Sequence, residues 1–410
     1  MNIGLLGLSF CTGNLGCEAL SYAFLEVLDE IANKNDTTIK TTLIEVFPTK
    51  WWLSNRLNLK KTKERYLPST MYEHLQNGCL FYKKINGKFY FENGLGNLDC
   101  VFDFTFGDSF TDIYGRERFN STAALKNEII KRGVPLVLGS QTIGPFNDPN
   151  IEKRARDIIL KAQEVYVRDE MSKTYMEKIS ERTPILTTDV AFALPYNKKT
   201  AETQAKIIKI GFNPSGLLWN GGYTQDNQFG LTVDYKEYCR QVLQYLSNHH
   251  DEYEVHLILH AYTQDLSVVD NDLIAVNALI KMFNNVVVSP MFENPMEAKS
   301  YISNMDVFIG ARMHATIGAL SSNTPVIPFS YSRKFEGLFT SLNYPYVIHG
   351  CSDSTESAVD KTIQWICHAN KLNEAVEETK AAVDSKKKFL VTSYAETIRE
   401  CAYEKRKNKV

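Results

Sequence analysis

The eight cysteines, at positions 11, 17, 79, 100, 239, 351, 367 and 401, form no C-x-x-C pair. Neither a zinc ribbon nor a dithiol centre is signalled. In a chain of 410 residues the count is also too small for a disulfide scaffold, so reduced thiols are expected. Surplus positive charge is lacking too. The formal net charge is -2, which offers no bulk attraction to nucleic acid or to an anionic membrane surface. No apolar run approaches the ~20 residues of a membrane-spanning helix. The apolar opening Met1–Phe10 has no basic segment ahead of it, unlike a secretory leader. A cytoplasmic chain with no transmembrane segment and no nucleic-acid partner is the expectation. Internal repeats, low-complexity tracts and the G-x-G-x-x-G dinucleotide fingerprint are absent as well. His256 and His260 flank one strand-like run, but no third ligand stands at a telling spacing, so no metal and no cofactor is expected.

What is present is ordinary globular composition, 44% hydrophobic and 23% charged, at a length that calls for two domains. Strand-like and helix-like segments alternate almost throughout, the pattern of parallel sheets covered by helices. In the first half the strands fall at Asn2–Leu8, Lys40–Phe47, Cys100–Phe106, Leu136–Gly139, Glu164–Val167 and Ile185–Thr188. The intervening helices fall at Cys17–Ala32, Ser121–Lys131, Ile151–Lys161 and Glu170–Ile179. Residues 51–94 read as an irregular insertion or lid. The stretch Ala193–Thr203, with Pro195 and Asn197-Lys198-Lys199-Thr200, reads as a linker. Strands then resume at Ile207–Phe212, Val255–Leu259, Asn285–Val288, Met305–Ile309 and Pro325–Phe329. The expected fold is α/β, two Rossmann-like doubly wound domains facing across a cleft, as in GT-B glycosyltransferases. Its divisions are 1–195, 204–370 and a C-terminal helical tail, 371–410.

Five turns carry candidate chemistry. In Ile309-Gly310-Ala311-Arg312-Met313-His314, a buried strand passes into a helix of small residues, which puts a guanidinium and an imidazole at a helix N-terminus. That pairing suits an anion that must also be protonated, with His314 as proton donor. Next to it, Pro325–Phe329 leads into Ser330-Tyr331-Ser332-Arg333-Lys334, which adds Ser330, Arg333 and Lys334. Thr12-Gly13-Asn14-Leu15-Gly16 follows the first strand and lets backbone approach a ligand closely. Gly107-Asp108-Ser109 ends another strand, with Asp108 as a base or a helix cap. Gly139-Ser140-Gln141-Thr142 offers the neutral hydrogen bonds that suit a sugar or carboxylate, and Arg168-Asp169 offers a guanidinium for carboxylate or phosphate beside an N-cap acid. His260 stands at a strand end, whereas His256 reads as a packing residue.

The ordered series Gly13-Asn14-x-Gly16, Gly107-Asp108, Gly139-Ser140-Gln141-x-Ile143-Gly144-Pro145, Arg168-Asp169-x-x-Ser172, Thr188-Asp189-Val190-Ala191-Phe192 and Arg312-x-His314-Ala315, with Pro325 and Lys334, resembles the polysaccharide pyruvyl transferase family. The resemblance implies a GT-B-like fold and transfer of a pyruvyl group from phosphoenolpyruvate to sugar hydroxyls, giving a pyruvate ketal. It implies His314 as the acid/base residue and Arg168 and Arg312 as holders of the donor's carboxylate and phosphate. Asp108 or Asp189 would take protons from the acceptor. Lys334, Asn14, Gly16, Gln141, Ser330 and His260 complete the expected binding set. The partners would be phosphoenolpyruvate and a sugar or glycan acceptor, lipid-linked or free. Two other readings compete. One is a GT-B glycosyltransferase using a nucleotide sugar. The other is a non-catalytic saccharide-binding protein with Trp51-Trp52 and Trp219–Tyr223 as stacking platforms.

Overall fold

The computed structural model describes residues 1–10, 12–44, 79–80, 82–85, 88–91, 95–198 and 207–407, with side chains left out at 79–91 and 333–334. Trp51, Trp52 and most of the expected 51–94 insertion lie outside the described residues. Within that stretch, two described strands pair antiparallel as a hairpin.

The chain divides into two compact units. One comprises residues 1–10, 20–193 and 385–410, the other residues 11–19 and 194–384. The strands are β1 (Asn2–Leu6), β2 (Lys40–Ile44), β3 (Cys79–Leu80), β4 (Tyr82–Ile85), β5 (Lys88–Phe91), β6 (Cys100–Asp103), β7 (Leu136–Gln141), β8 (Glu164–Val167) and β9 (Ile185–Leu186) in the first half. In the second half they are β10 (Ile208–Asn213), β11 (Tyr253–Leu257), β12 (Val286–Val288), β13 (Val307–Gly310), β14 (Val326–Ser330) and β15 (Ile348–His349).

The first unit holds a parallel sheet of order β3-β2-β1-β6-β7-β8-β9, and the second a parallel sheet of order β12-β11-β10-β13-β14-β15. Both are doubly wound. Each therefore has a switch point where the order reverses, between β1 and β6 in the first sheet and between β10 and β13 in the second. Ligands of such folds bind beyond the strand C-termini at that point.

Local sequence explains the elements. Helices cover both faces of a parallel sheet, so inner strands are apolar throughout. β7 and β13 are buried at every position. The helix Pro149–Lys161 starts with Asp148 accepting from the Asn150 N–H and with a proline in its first turn. It buries Ile151, Ala155, Ile158 and Ile159, one stripe at helical spacing. Strand β6 stops earlier than expected, because Thr105 and Phe106 adopt positive φ and turn the chain away. The C-terminal segment is one continuous helix, Ala369–Lys407, not a separate tail. From residue 385 onward it belongs to the first unit's core. There Tyr394 packs against Phe24, Phe102 and Tyr166. Its hydroxyl accepts from the buried Ser140 N–H at 2.8 Å.

That last bond gives a direct test of how the terminal helix supports the first sheet. Tyr394→Phe keeps the ring packing but leaves the Ser140 N–H without its acceptor. We expect a loss of about 1–3 kcal/mol in urea-denaturation stability, the cost of an orphaned buried donor.

Candidate active site

The Arg312–His314 turn lies at the switch point of the second sheet. β13 ends at Gly310, Arg312 is extended, and the helix Met313–Ser321 begins without any side-chain cap. Asn213, the last residue of β10, holds the turn in place. Its Oδ1 accepts from the Arg312 N–H at 3.1 Å, and its Nδ2 donates to the Ile258 carbonyl at 2.8 Å.

Beneath the turn sits Asp272, fully buried. Oδ1 accepts from the Gly216 N–H at 2.9 Å and from the Arg312 guanidinium at 3.0 and 2.6 Å. Oδ2 accepts from the N–H groups of His260 and Ala261 at 3.1 and 2.9 Å. One carboxylate thus joins the loops that follow β10, β11 and β13. Gly216 has no room for a side chain, since an added Cβ would lie 2.0 Å from the Asn271 carbonyl. Asp270 also pairs with Arg312 and accepts from the Tyr223 hydroxyl at 3.1 Å.

Arg312 is therefore braced on two carboxylates. Burial disfavours its charge, but Asp270 and Asp272 more than offset this and raise its pKa well above the ordinary value. The expectation for its fork was a donor's anionic group, and in this structure the fork meets two carboxylates. The side chain is occupied in fixing the turn.

His314 is the second residue of the helix and half-buried. The segment 11–19 belongs to the same unit and lies against it. An added Cβ at Gly16 would fall 2.8 Å from His314 Nδ1, so only glycine lets this backbone pass the imidazole. Asn14 accepts at Oδ1 from the N–H groups of Gly16 and Cys17, at 3.1 and 3.2 Å, and so caps the helix Leu15–Lys34. Leu15 N–H donates to the His260 carbonyl at 3.0 Å, and Tyr262 N–H donates to the Gly13 carbonyl at 2.9 Å. Glu18 Oε1 gathers the Thr12 and Gly13 N–H groups at 2.6 and 3.0 Å.

Asn14, Gly16, His260, Arg312 and His314 are thus brought together within one unit. His260 itself is buried, 4% exposed. Burial first, then the charges of His314 and Arg312, pushes its pKa down to about 3, so it is a neutral imidazole at ordinary pH. Ser330 is buried at the end of β14, its carbonyl accepting from the Gly350 N–H at 2.7 Å. The Lys334 side chain lies outside the described residues.

The remaining candidates belong to the first unit. Arg168, 3% exposed, donates to Asp189 Oδ2 at 2.6 Å and to Thr142 Oγ1 at 2.9 Å. Burial opposes its charge, and Asp189, Asp108 and Asp169 raise its pKa above the usual value. Asp189 is fully buried and also accepts from the Ala191 N–H at 2.8 Å. Burial and these bonds hold the carboxylate in place beside Arg168. Asp108 is half-buried and accepts from the Tyr114 hydroxyl at 2.9 Å. It is the C-cap residue of the short 3-10 helix Thr105–Gly107. Asp169 N-caps the helix Glu170–Ser180, accepting from the Ser172 N–H at 2.7 Å. Gln141 is wholly buried and donates to the Asp103 carbonyl at 2.7 Å, so it is a core residue and not a sugar ligand. His256 packs as expected, between Tyr301 and Glu254. Among the described residues no cluster of His, Cys, Asp or Glu could hold a metal ion.

Sequence reasoning missed Glu18, Asp270 and Asp272. Glu18 carried a weak signal, an acid in the first turn of a helix behind Thr12-Gly13. Asp272 looked like any acid at the start of an apolar helix, capped in fact by Asn271.

The family described as polysaccharide pyruvyl transferase matches residues 14–333 of the chain. No curated protein matches it significantly. Among solved structures, a UDP-GlcNAc 2-epimerase from Neisseria meningitidis bound to UDP-GlcNAc aligns at 13% identity, with a TM-score of 0.59 over 98% of this chain and 100% of that one. A glycosyltransferase from Rickettsia africae aligns at 11% identity and a TM-score of 0.56, over 98% of each chain. A trehalose 6-phosphate synthase from Burkholderia multivorans aligns at 7% identity and a TM-score of 0.53, over 98% and 99%. At these identities the likeness is one of fold: two Rossmann-like units of the GT-B kind.

Two measurements check the geometry. Asp272→Asn removes a buried charge that pairs with Arg312, and a loss of roughly 3–5 kcal/mol in denaturant stability is expected. His260 binds a proton in the unfolded chain below pH 6.5 but in the folded chain only below about 3. Unfolding therefore takes up a proton within that window, and stability falls as pH falls, by at most about 1.4 kcal/mol per unit. His260→Gln is expected to flatten this part of the slope of thermal midpoint against pH.

Proposed function

Since the chain belongs to the polysaccharide pyruvyl transferase family, we propose that it transfers the pyruvyl group of phosphoenolpyruvate to two hydroxyls of a sugar in a polysaccharide or glycan precursor. The product is a pyruvate ketal, with inorganic phosphate released. The observation that carries this reading is the placing of His314: an imidazole at the uncapped start of a helix, at the sheet's switch point, with the Gly16 backbone against it.

The reaction needs a proton delivered to carbon and protons taken from oxygen. His314 donates to the methylene carbon of phosphoenolpyruvate, and C2 becomes an oxocarbenium-like centre. The first sugar hydroxyl adds to C2 and loses its proton. The C–O bond to phosphate breaks, and the second hydroxyl adds with loss of its proton, closing the ketal. Of the two protons lost by the hydroxyls, one restores the proton that His314 gave to carbon and the other leaves on the inorganic phosphate. Of the two carboxylates expected to take a hydroxyl proton, Asp108 keeps partial exposure within its own unit and Asp189 does not.

A donor with two anionic groups needs positive potential. Arg312 stays charged but is already paired, so within its unit it contributes field more than direct contact. The first turn of the helix Met313–Ser321 supplies N–H groups and the positive end of the dipole without a competing cap. Charge developing on the leaving phosphate is stabilised there.

The test is phosphate release from phosphoenolpyruvate across a panel of acceptor glycosides. His314→Ala is expected to lower turnover by on the order of a hundredfold or more with unchanged circular dichroism. Gly16→Ala, which pushes a methyl at Nδ1, should lower turnover with little effect on donor KM. Near-normal turnover in His314→Ala would remove this mechanism. Thermal stabilisation by a UDP-sugar but not by phosphoenolpyruvate would replace the reaction itself with nucleotide-sugar chemistry.

A further inference from the structure

Beside the switch point of the second unit, residues among 218–236 line an open pocket of about 440 Å³ that the pyruvyl-transfer chemistry does not use. The loop around it is firmly built. Gly222 N–H donates to the Leu217 carbonyl at 2.8 Å, Gln228 N–H to the Gly221 carbonyl at 3.0 Å, and Thr232 N–H to the Gly350 carbonyl at 3.0 Å. Asn227 clasps Leu231 through both its amide groups, at 2.9 and 3.0 Å. Two non-glycine residues, Gln225 and Asn227, are held at positive φ, 62° and 59°. Such conformations cost energy and persist where surrounding structure imposes them, often at ligand sites.

The lining has a definite chemical character. Trp219 and Phe229 supply apolar walls. Asn220 and Gln225 supply amides that both donate and accept. Asp234 and Lys236 bring one charge of each sign, and the Lys236 ammonium stands 5.7 Å from the centroid of the Trp219 indole. An anionic ligand would need a surplus of cations, and here Asp234 cancels Lys236. Lipid or acyl ligands would need a continuous apolar surface, and the amides interrupt it. A pyranose meets both halves of the lining: its C–H face suits aromatic walls, and its hydroxyls suit amides and a carboxylate. The volume lies within the usual range of small-molecule sites.

We propose that this cavity is a binding subsite for a neutral saccharide. It goes beyond the reaction, since it requires neither phosphoenolpyruvate nor His314. Its loop also touches the site already described. Tyr223 donates to Asp270, and Asp270 pairs with Arg312, so a sugar seated here lies one hydrogen-bonded link from the strand–helix turn.

Saturation-transfer NMR on the full chain tests it, using the methyl glycosides of galactose, glucose, mannose and N-acetylglucosamine and their disaccharides, without phosphoenolpyruvate. Transfer to the sugar C–H protons is expected for at least one of them. Affinity should fall roughly five- to tenfold in Trp219→Leu and in Gln225→Ala and hold in His314→Ala. Gln225 is exposed, so its variant carries the test alone if Trp219→Leu loses near-ultraviolet circular dichroism. Absence of transfer to the wild-type protein from every sugar, or transfer undiminished in the folded variants, overturns the subsite. The two readings fail separately. A chain that binds glycosides here but releases no phosphate keeps the subsite and loses the reaction, and the opposite result does the reverse.

Discussion

Everything at the second unit's switch point hangs on one buried carboxylate. Taking Asp272 out of water costs several kcal/mol, and only a dense set of donors can offset that. It has them: three backbone N–H groups and both faces of the Arg312 fork. Those donors come from three different strand-to-helix loops. Satisfying a single anion therefore fixes three loops relative to one another. His314 needs no bond to Asp272 to benefit, because it is two residues from Arg312 on a helix whose start that arginine defines.

The same logic recurs in the first unit with different partners. Arg168 is locked by Asp189 and Thr142, and Asp189 in turn accepts from the Ala191 N–H. Both arginines that seemed free to grip a ligand turn out to be internal braces. Their charge survives burial because carboxylates sit beside them, but N–H groups already given to those carboxylates and to Thr142 are not left over for another anion. The helix Met313–Ser321, by contrast, starts without a side-chain cap on its backbone N–H groups.

The sequence was most readable where a signal was local. An apolar run ending in glycine and followed by small residues at helical spacing marked β13 and the turn beyond it, and an acid followed by Ser172 two residues into a helix marked the Asp169 cap. It was least readable where two residues distant in the chain complete each other. Asp272 lies 40 positions before Arg312, and no periodicity links them. Asp189 and Arg168 each stand out as candidates, but nothing local in the sequence pairs them across 21 positions. Gln141 was misplaced for a geometric reason: β7 continues through it, with an irregular register against β8 between Leu138 and Gln141, and carries the side chain into the core. Phe106, conversely, was drawn into a strand that positive φ at Thr105 had already ended.

Fold alone does not choose a reaction for this chain, because the same two-unit architecture serves an epimerase, a glycosyltransferase and a trehalose 6-phosphate synthase at 7–13% identity. Two imidazoles stand at the second unit's switch point, and one of them, His260, is held neutral. His260 and His314 lie within electrostatic reach of each other and of Arg312. A proton on His260 would set a further positive charge beside Arg312 in a buried turn. Burial resolves this by stripping His260 of its charge down to about pH 3. His260 therefore stays neutral at ordinary pH and contributes shape and not charge to this helix start.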